Sequence, residues 1–377
     1  MNSGAITLPI GTRVRKSPFF NATREAGCTC YTIYNHTYMP VYYEDPVADY
    51  WHLVNDVTLW DVACQRQVEI TGPDAFALVS RLTPRNLANF KVGQAKYAPM
   101  VDGNGGMLND PILLRLEQQK FWFSLADYDI LLWAKGVAID SGLDVDIREP
   151  DVSPLQVQGP NAVEVIADLF GDWVRELKYY WFKEGELDGI PYLLSRTGWS
   201  NEKGFEVFLQ DSRYGHQLWD RIMEAGAHYG IQPGAPSQIK RMEAGLLSYW
   251  NDMDIHTNPF EVGLGNFIDT DQDVDFVGKS ALQDILKKGI SQRLMGAVVD
   301  GDPILVNEEC WPVRCGEQVI GKVTSAVYSP LLDQNLVYVM LPIGHAKPDA
   351  IIDIVMPCGD IRSATITQLP FTSNRAR

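Results

Sequence analysis

Gln67-Val68-Glu69-Ile70-Thr71-Gly72-Pro73-Asp74-Ala75 is the stretch that decides the fold of this 377-residue chain. Apolar Val68 and Ile70 alternate with polar neighbours, the two-residue period of a strand. Gly72-Pro73 stops that strand, and Asp74 stands close to the N-terminus of a helix read over 75–81. The grammar returns further on. A short strand at 155–158 is followed by Gly159-Pro160 and a helix near 162–169. No sequence repeat or low-complexity segment accompanies it. Strands and helices mix without strict alternation, which favours an α+β fold over a doubly wound parallel sheet.

Residues 1–45 are rich in aromatics, Gly and Pro, and a helix pattern follows at 47–55. Strands at 95–101 and 112–116 flank Asp102-Gly103-Asn104-Gly105-Gly106, whose Asn-Gly pair signals a hairpin. Another strand falls at 121–125 and a helix at 129–139. Strands at 192–196 and 205–209 come next, then helices at 215–225, 236–247 and 280–286. After that, short apolar runs separated by Gly, Pro and Asp predict a small β-barrel or sandwich. We therefore expect one region over 1–288 and a C-terminal domain over 289–377.

Composition removes several functions. The chain carries 48 acidic against 32 basic residues, a net charge of −16. Phosphate backbones and anionic membranes are held by Lys and Arg clusters, so neither partner is expected. No stretch reaches the ~18 apolar residues of a membrane span. Residues 1–16 show no apolar core with a cleavage site, and a cytoplasmic protein is expected. The six cysteines form no C-x-x-C pair and the six histidines no ligand spacing, so no metal is expected. Asp269-x-Asp271-x-Asp273-x-Asp275 lacks the Gly and Glu of a calcium loop, with Val274 and Ser280 at those positions. There is no dinucleotide fingerprint, P-loop or G-x-S-x-G.

Two acids stand out. Asp110 ends Gly105-Gly106-Met107-Leu108-Asn109-Asp110 and leads into an apolar run, the place of a turn cap or of a reactive carboxylate. Glu206 interrupts Gly204-Phe205-Glu206-Val207-Phe208. Alternation puts Glu206 and Phe208 on one face, which either meets solvent or lines a cavity.

Taken together these segments resemble the aminomethyltransferase (glycine-cleavage T-protein) family. The pieces run in order: Trp60-Asp61-Val62, Val68-Glu69-Ile70-Thr71-Gly72-Pro73-Asp74-Ala75, Gly93-Gln94-Ala95-Lys96-Tyr97, and Gly105-Gly106 with Asn109-Asp110. Gln158-Gly159-Pro160, Arg196-Thr197-Gly198-Trp199-Ser200, Gly204-Phe205-Glu206 and Arg241-Met242-Glu243-Ala244-Gly245 follow. Asn258-Pro259-Phe260-Glu261-Val262-Gly263, Gly321-Lys322-Val323-Thr324-Ser325 and Leu369-Pro370-Phe371 complete the series. Arg66-Gln67-Val68-Glu69-Ile70, Asn109-Asp110-Pro111, Gly198-Trp199-Ser200 and Leu246-Leu247-Ser248-Tyr249 resemble its dimethylsulfoniopropionate demethylase branch more closely.

The resemblance implies three subdomains around a central folate channel, the last a C-terminal barrel. It implies tetrahydrofolate as methyl acceptor and a small-molecule methyl donor as partner, and a homodimer is compatible with it. Asp110 matches the family's active-site aspartate, and Glu206 the glutamate on the pterin ring. Tyr97 and Trp199 match aromatics around that ring, with Trp199 in place of the usual Tyr. Arg241 occupies a family motif beside the cofactor. Trp173, Trp199 and Phe208 are candidates to hold an onium group, and Ser248 to bind the substrate carboxylate. Phe208 stands where a tyrosine is expected, and Trp250 where a small residue is. The expected reaction moves a methyl group from dimethylsulfoniopropionate to N5 of tetrahydrofolate. The alternatives are another methylated onium, an aryl methyl ether, or the aminomethyl transfer of glycine cleavage.

Overall fold

A computed structural model describes residues 10–372. Part of the segment read for a secretion signal, residues 1–9, lies outside the described residues. Ahead of the C-terminal domain stand two antiparallel-rich sheets. The first runs in the order Asp146–Arg148, Gln67–Thr71, Lys120–Ser124, Ile112–Glu117 and Ala95–Tyr97. The second runs Phe182–Leu187, Ile190–Ser195, Gly204–Leu209, Ser153–Gln158, Val57–Asp61 and Ile231–Gly234, the last pair being parallel.

The recurring strand–Gly-Pro–helix grammar builds both layers. Gly72 and Gly159 have φ of +119° and +132°, a region open to glycine. A Cβ there would lie 2.5 Å from the carbonyl oxygens of Asp144 and Asp56 respectively. Each glycine thus lets its strand turn tightly into the helix that covers the sheet. Helices Ala75–Leu82 and Ile130–Ala138 bury Leu78, Val79, Ile130 and Ala134 against the first sheet. Helices Ala162–Phe170 and Gly215–Gly226 bury Val165, Ile166, Leu218 and Ile222 against the second.

The opposite faces of the two sheets meet each other. Ala95, Leu114, Leu116 and Trp122 of the first pack with Phe182, Leu193 and Phe208 of the second. The alternation read from the sequence holds on the strand Gly204–Leu209. Phe205, Val207 and Leu209 join the helical-face core, and Phe208 joins the inter-sheet core.

The C-terminal domain is a closed barrel, ordered Gln292–Val299, Gln334–Pro342, Gln318–Ser329, Trp311–Cys315, Ile351–Val355 and Ile361–Thr367. The strand Trp311–Cys315 escaped the sequence reading. Only Trp311 and Val313 point inward, a pattern too short to signal a period. The helix Gln238–Glu243 packs on the outside of this barrel, through Met242 and Ile239 against Val327, Leu336, Tyr338 and Met340.

Two sequence expectations need correction. The helix read over 236–247 covers only Gln238–Glu243, because Gly245 takes φ +72° and Leu246 N–H turns back to the Arg241 carbonyl at 2.9 Å. The strand read over 95–101 divides into Ala95–Tyr97, in the first sheet, and Met100–Val101, which pairs with Met107–Asn109. Pro99, lacking an N–H, sits at the break. The hairpin Cys30–Tyr34/Thr37–Tyr42 and the strand Val57–Asp61 also went unread. Among the described residues no helix is long and apolar enough to cross a membrane.

Candidate functional site

The two sheets are stitched together at one edge, and the candidate residues gather there. The Tyr180 carbonyl accepts from Ala95 N–H at 2.8 Å in the first sheet. Tyr180 N–H donates to the Arg196 carbonyl at 3.0 Å in the second. Tyr97 stands two residues from Ala95, and Thr197 one residue from Arg196. The stitch thus brings the Tyr97 side of one sheet to the Thr197 side of the other.

On the first side, Tyr97 donates its hydroxyl proton to Asp110 Oδ2 at 2.8 Å. The turn Asp102–Gly106 positions Asp110. Asp102 Oδ1 accepts from Asn104 and Gly106 N–H, which closes the Met100–Val101/Met107–Asn109 ladder. Buried Asn109 accepts from Asp110 N–H at 3.0 Å and exchanges two hydrogen bonds with the Ala126 backbone. Asp110 Oδ1 is buried and finds no hydrogen-bond partner among the described residues. Burial raises the Asp110 carboxyl to about 7, against the Tyr97 bond that lowers it. Burial also holds the Tyr97 phenol well above its ordinary value.

On the second side, Glu206 is buried on the inter-sheet face, which settles the solvent-facing reading against solvent. Its Oε1 accepts from Gln156 Nε2 at 2.8 Å and its Oε2 from the Thr197 hydroxyl. Gln156 is its register partner on Ser153–Gln158. The Gln156 side chain leaves its own Oε1 buried and without a partner among the described residues. Burial raises the Glu206 carboxyl, opposed by the Thr197 and Gln156 bonds. Tyr180 lies between the two acids. Burial, first of all, raises its phenol, and the charges of Tyr179, Glu206 and Asp110 add to that.

Trp199 is half-buried, and the Arg241 guanidinium lies 5.9 Å from its ring centroid. Arg241 is otherwise committed to protein partners. It donates to Asp252 Oδ2 at 2.8 Å, the Ser325 hydroxyl at 2.7 Å, the Leu246 carbonyl at 3.2 Å and Gln238 Oε1 at 2.5 Å. Asp252 in turn accepts from Thr324 and Ser325 on the barrel and from Ser248 N–H. Ser248 therefore stands beside this seam.

The structure does not bring Trp173 to the group. Trp173 packs against the helical-face core, donates to the Phe170 carbonyl at 2.7 Å, and carries the Lys183 amine 4.6 Å over its ring. Phe208 is on the correct face, but it is core, tilted against Trp122 at 6.3 Å.

Tyr34 and Tyr249 stood out in the sequence only as loop-flanking aromatics, and Phe267 not at all. The Tyr34 phenol is raised by burial first, with Asp110 the largest charge acting on it. Tyr249 donates to the Met107 carbonyl at 3.0 Å and feels Asp110 too. Phe267 meets Tyr97 edge-on at 4.9 Å. An aromatic close to a loop is a signal that core positions share. Among the described residues no group of three or more His, Cys, Asp or Glu is placed to hold a metal ion.

Residues 19–272 match the GCVT N-terminal domain, and residues 292–372 match the glycine cleavage T-protein C-terminal barrel domain. The chain belongs to the glycine cleavage T-protein family, and it is a tetrahydrofolate-dependent transferase. It is 39% identical over 356 residues to "Dimethylsulfoniopropionate demethylase DmdA" of Ruegeria pomeroyi, covering 94% of this chain and 97% of that one. It is 29% identical over 365 residues to an aminomethyltransferase of Desulfitobacterium hafniense, covering 95% and 98%. The fold is that of the crystal structure of glycine cleavage system aminomethyltransferase T from Bartonella henselae. The TM-score is 0.86 at 23% identity, over 96% of this chain and 99% of that one.

The residues present fit tetrahydrofolate. A reduced pterin offers N–H donors along its edge and at its ring nitrogens. Beside each carboxylate the protein leaves one buried acceptor unfilled, Asp110 Oδ1 and Gln156 Oε1. A buried acceptor without a donor costs roughly 1–3 kcal/mol, which a donor on the ligand recovers.

Proposed function

We propose that this enzyme takes a methyl group from dimethylsulfoniopropionate and delivers it to tetrahydrofolate. Methylthiopropionate and 5-methyltetrahydrofolate are the products. When bound, tetrahydrofolate supplies N5 as the nucleophile. The S–CH3 bond breaks as the N5–CH3 bond forms. The sulfonium sulfur keeps the electron pair and leaves as a neutral thioether, so the chain's residues have mainly to align the three atoms. Such alignment is worth roughly 7–11 kcal/mol.

Asp110 is the residue we assign to the proton released from N5. Oδ1 is the atom that takes it, and Tyr97 holds the carboxylate through Oδ2. A carboxyl raised to about 7 by burial accepts a proton near neutral pH and gives it up again. Glu206, held by Thr197 and Gln156, orients the pterin edge. Trp199 and Tyr97 flank it. Arg241 acts as a positioning residue, tying Trp199 to Asp252 and the barrel. Ser248 meets the substrate carboxylate, and Phe208 shapes the wall behind Glu206. Trp173 has no part in this assignment. The division of the chain at 288/289 belongs to the same reading, since helix Lys279–Lys288 ends there and the barrel starts at Gln292.

The observation that carries the reading is the orphaned Asp110 Oδ1 beside an Oδ2 already held by Tyr97. The similarity to a demethylase at 39% identity supports the sulfonium donor over the aminomethyl one. The test incubates the purified protein with tetrahydrofolate and dimethylsulfoniopropionate and measures both products. Formation of neither, alongside methylene transfer from an aminomethyl-lipoyl carrier, would assign it to glycine cleavage instead.

A further inference from the structure

Of the aromatics that the sequence nominated for an onium group, Phe208 is core and both tryptophans already carry a cation of the protein. Lys183 lies 4.6 Å over Trp173, and Arg241 lies 5.9 Å from the Trp199 centroid. A positively charged methyl donor needs another aromatic face. One set of rings has its faces open. Tyr128, Tyr249 and Trp250 form a triangle, with pairs of centroids 5.9, 5.6 and 5.7 Å apart. Tyr249 is buried, whereas Tyr128 is 38% and Trp250 52% exposed. Among the described residues no Lys or Arg stacks on any of the three.

Their place in the fold is specific. Trp250 takes φ +70°, a backbone that suits glycine and strains a bulky residue. The turn that holds it is fixed. Trp250 N–H donates to the Met253 carbonyl at 2.9 Å, Asp252 N–H donates to the Ser248 carbonyl at 2.9 Å, and the Asp252 carboxylate is tied to Arg241 and the barrel. Tyr249 donates to the Met107 carbonyl, three residues before Asp110. Tyr128 follows Ala126, whose backbone exchanges two hydrogen bonds with Asn109. The triangle thus rests on the segment that carries Asp110. Its surroundings are negative. Asp127 and Asp129 flank Tyr128 in the chain, and the Tyr249 phenol, raised first by burial, also feels Asp254, Asp110 and Asp102. Open aromatic faces among acids, with no protein cation on them, suit a cation that arrives with the ligand.

We propose that Trp250, with Tyr128, binds the onium group of the methyl donor and selects a charged donor over a neutral one. This rests on the demethylase reading and names the residue that sets the donor's class. Ser248, assigned to the donor's carboxylate, stands two residues before Trp250, so one turn serves both ends of a zwitterion. The transfer fixes what the ring can do. As the S–CH3 bond breaks, the electron pair stays on sulfur and the positive charge passes with the methyl group to N5. The ring therefore holds the bound donor more firmly than the transition state, and it acts on KM rather than on kcat.

The test compares wild type, Trp250→Phe and Trp250→Leu in methyl transfer from dimethylsulfoniopropionate to tetrahydrofolate. 4-Methylpentanoate, the neutral isostere of that donor, serves as the competitive inhibitor. The three side chains share one backbone strain and one half-exposed setting, so melting temperatures should agree. Trp250→Leu should raise KM roughly tenfold, the range of a partly desolvated cation–π contact, and leave kcat unchanged. The inhibition constant of 4-methylpentanoate should move by less than about threefold, because Leu keeps the apolar contact. Trp250→Phe, which keeps a weaker ring face, should fall between. Unchanged KM in Trp250→Leu, or equal weakening of the donor and its neutral isostere, overturns the proposal and leaves the demethylase reading standing. A wild type that releases no methylthiopropionate removes both.

Discussion

Two buried charged regions of this protein, the Arg241 seam and the Asp110 side, are built on opposite terms. At the seam between helix Gln238–Glu243 and the barrel, Arg241 and Asp252 meet at 2.8 Å and both are almost fully buried. Both oxygens of Asp252 are filled, Oδ2 by Arg241 and Ser248 N–H and Oδ1 by the Thr324 and Ser325 hydroxyls. At Asp110 one oxygen is filled and one is left open. The seam therefore holds the molecule together, and the Asp110 side stays ready for a ligand. A family motif at Arg241 and a family motif at Asp110 look alike on paper. What separates them is how many bonds the protein itself completes.

The largest expected effect falls on the open side. Asp110→Asn should lower turnover by about a hundredfold to ten-thousandfold, the range for a general acid–base group. It should do so without loss of melting temperature. The sign of the pH effect follows from the raised carboxyls. Asp110 titrates at about 7 and Asp61 at about 6 when folded, both above 3.8. The folded state then binds protons more tightly than the unfolded one, so these groups add stability at low pH and lose it as pH rises towards 7. Asp110→Asn should accordingly gain stability relative to wild type at pH 8 and none at pH 4, by urea titration.

The seam should respond the other way. Arg241→Leu strands the Asp252 carboxylate and should cost about 3–5 kcal/mol of stability. Adding Asp252→Leu should recover much of that loss, whereas no second change should restore activity to Asp110→Asn. A seam variant that keeps full stability but cannot bind folate would break the contrast. Next in size is Tyr97→Phe. It removes the bond that lowers Asp110, so the carboxyl should rise further and kcat/KM should fall roughly tenfold with its acidic limb displaced to higher pH. The smallest effect is expected at Trp173→Leu, which lies on the helical face. Its KM for the methyl donor should stay unchanged even if some stability is lost, since its side chain packs on the helical face of the second sheet and Glu206 lies on the opposite face. A large KM change there would return Trp173 to the substrate.

Much of the fold was legible. The Gly-Pro turns at 72–73 and 159–160 marked both strand–helix units because a positive φ and a close carbonyl permit only glycine. Asp110 and Glu206 were legible as acids out of place among apolar neighbours. The rest depended on long-range pairing. Alternation put Glu206 and Phe208 on one face, but only the second sheet shows that the face is buried and that Phe208 fills it. Trp173 looked like any other aromatic, because nothing local reveals which side of the sheet a loop covers.

The central claim is that Asp110 Oδ1 receives the N5 proton. Single-turnover methyl transfer from dimethylsulfoniopropionate to tetrahydrofolate, followed from pH 5 to 9, tests it most directly. Wild type should show a rate that climbs through about pH 7, and Asp110→Asn a slower rate with no such limb. An Asp110→Asn profile that keeps the wild-type limb would contradict the account.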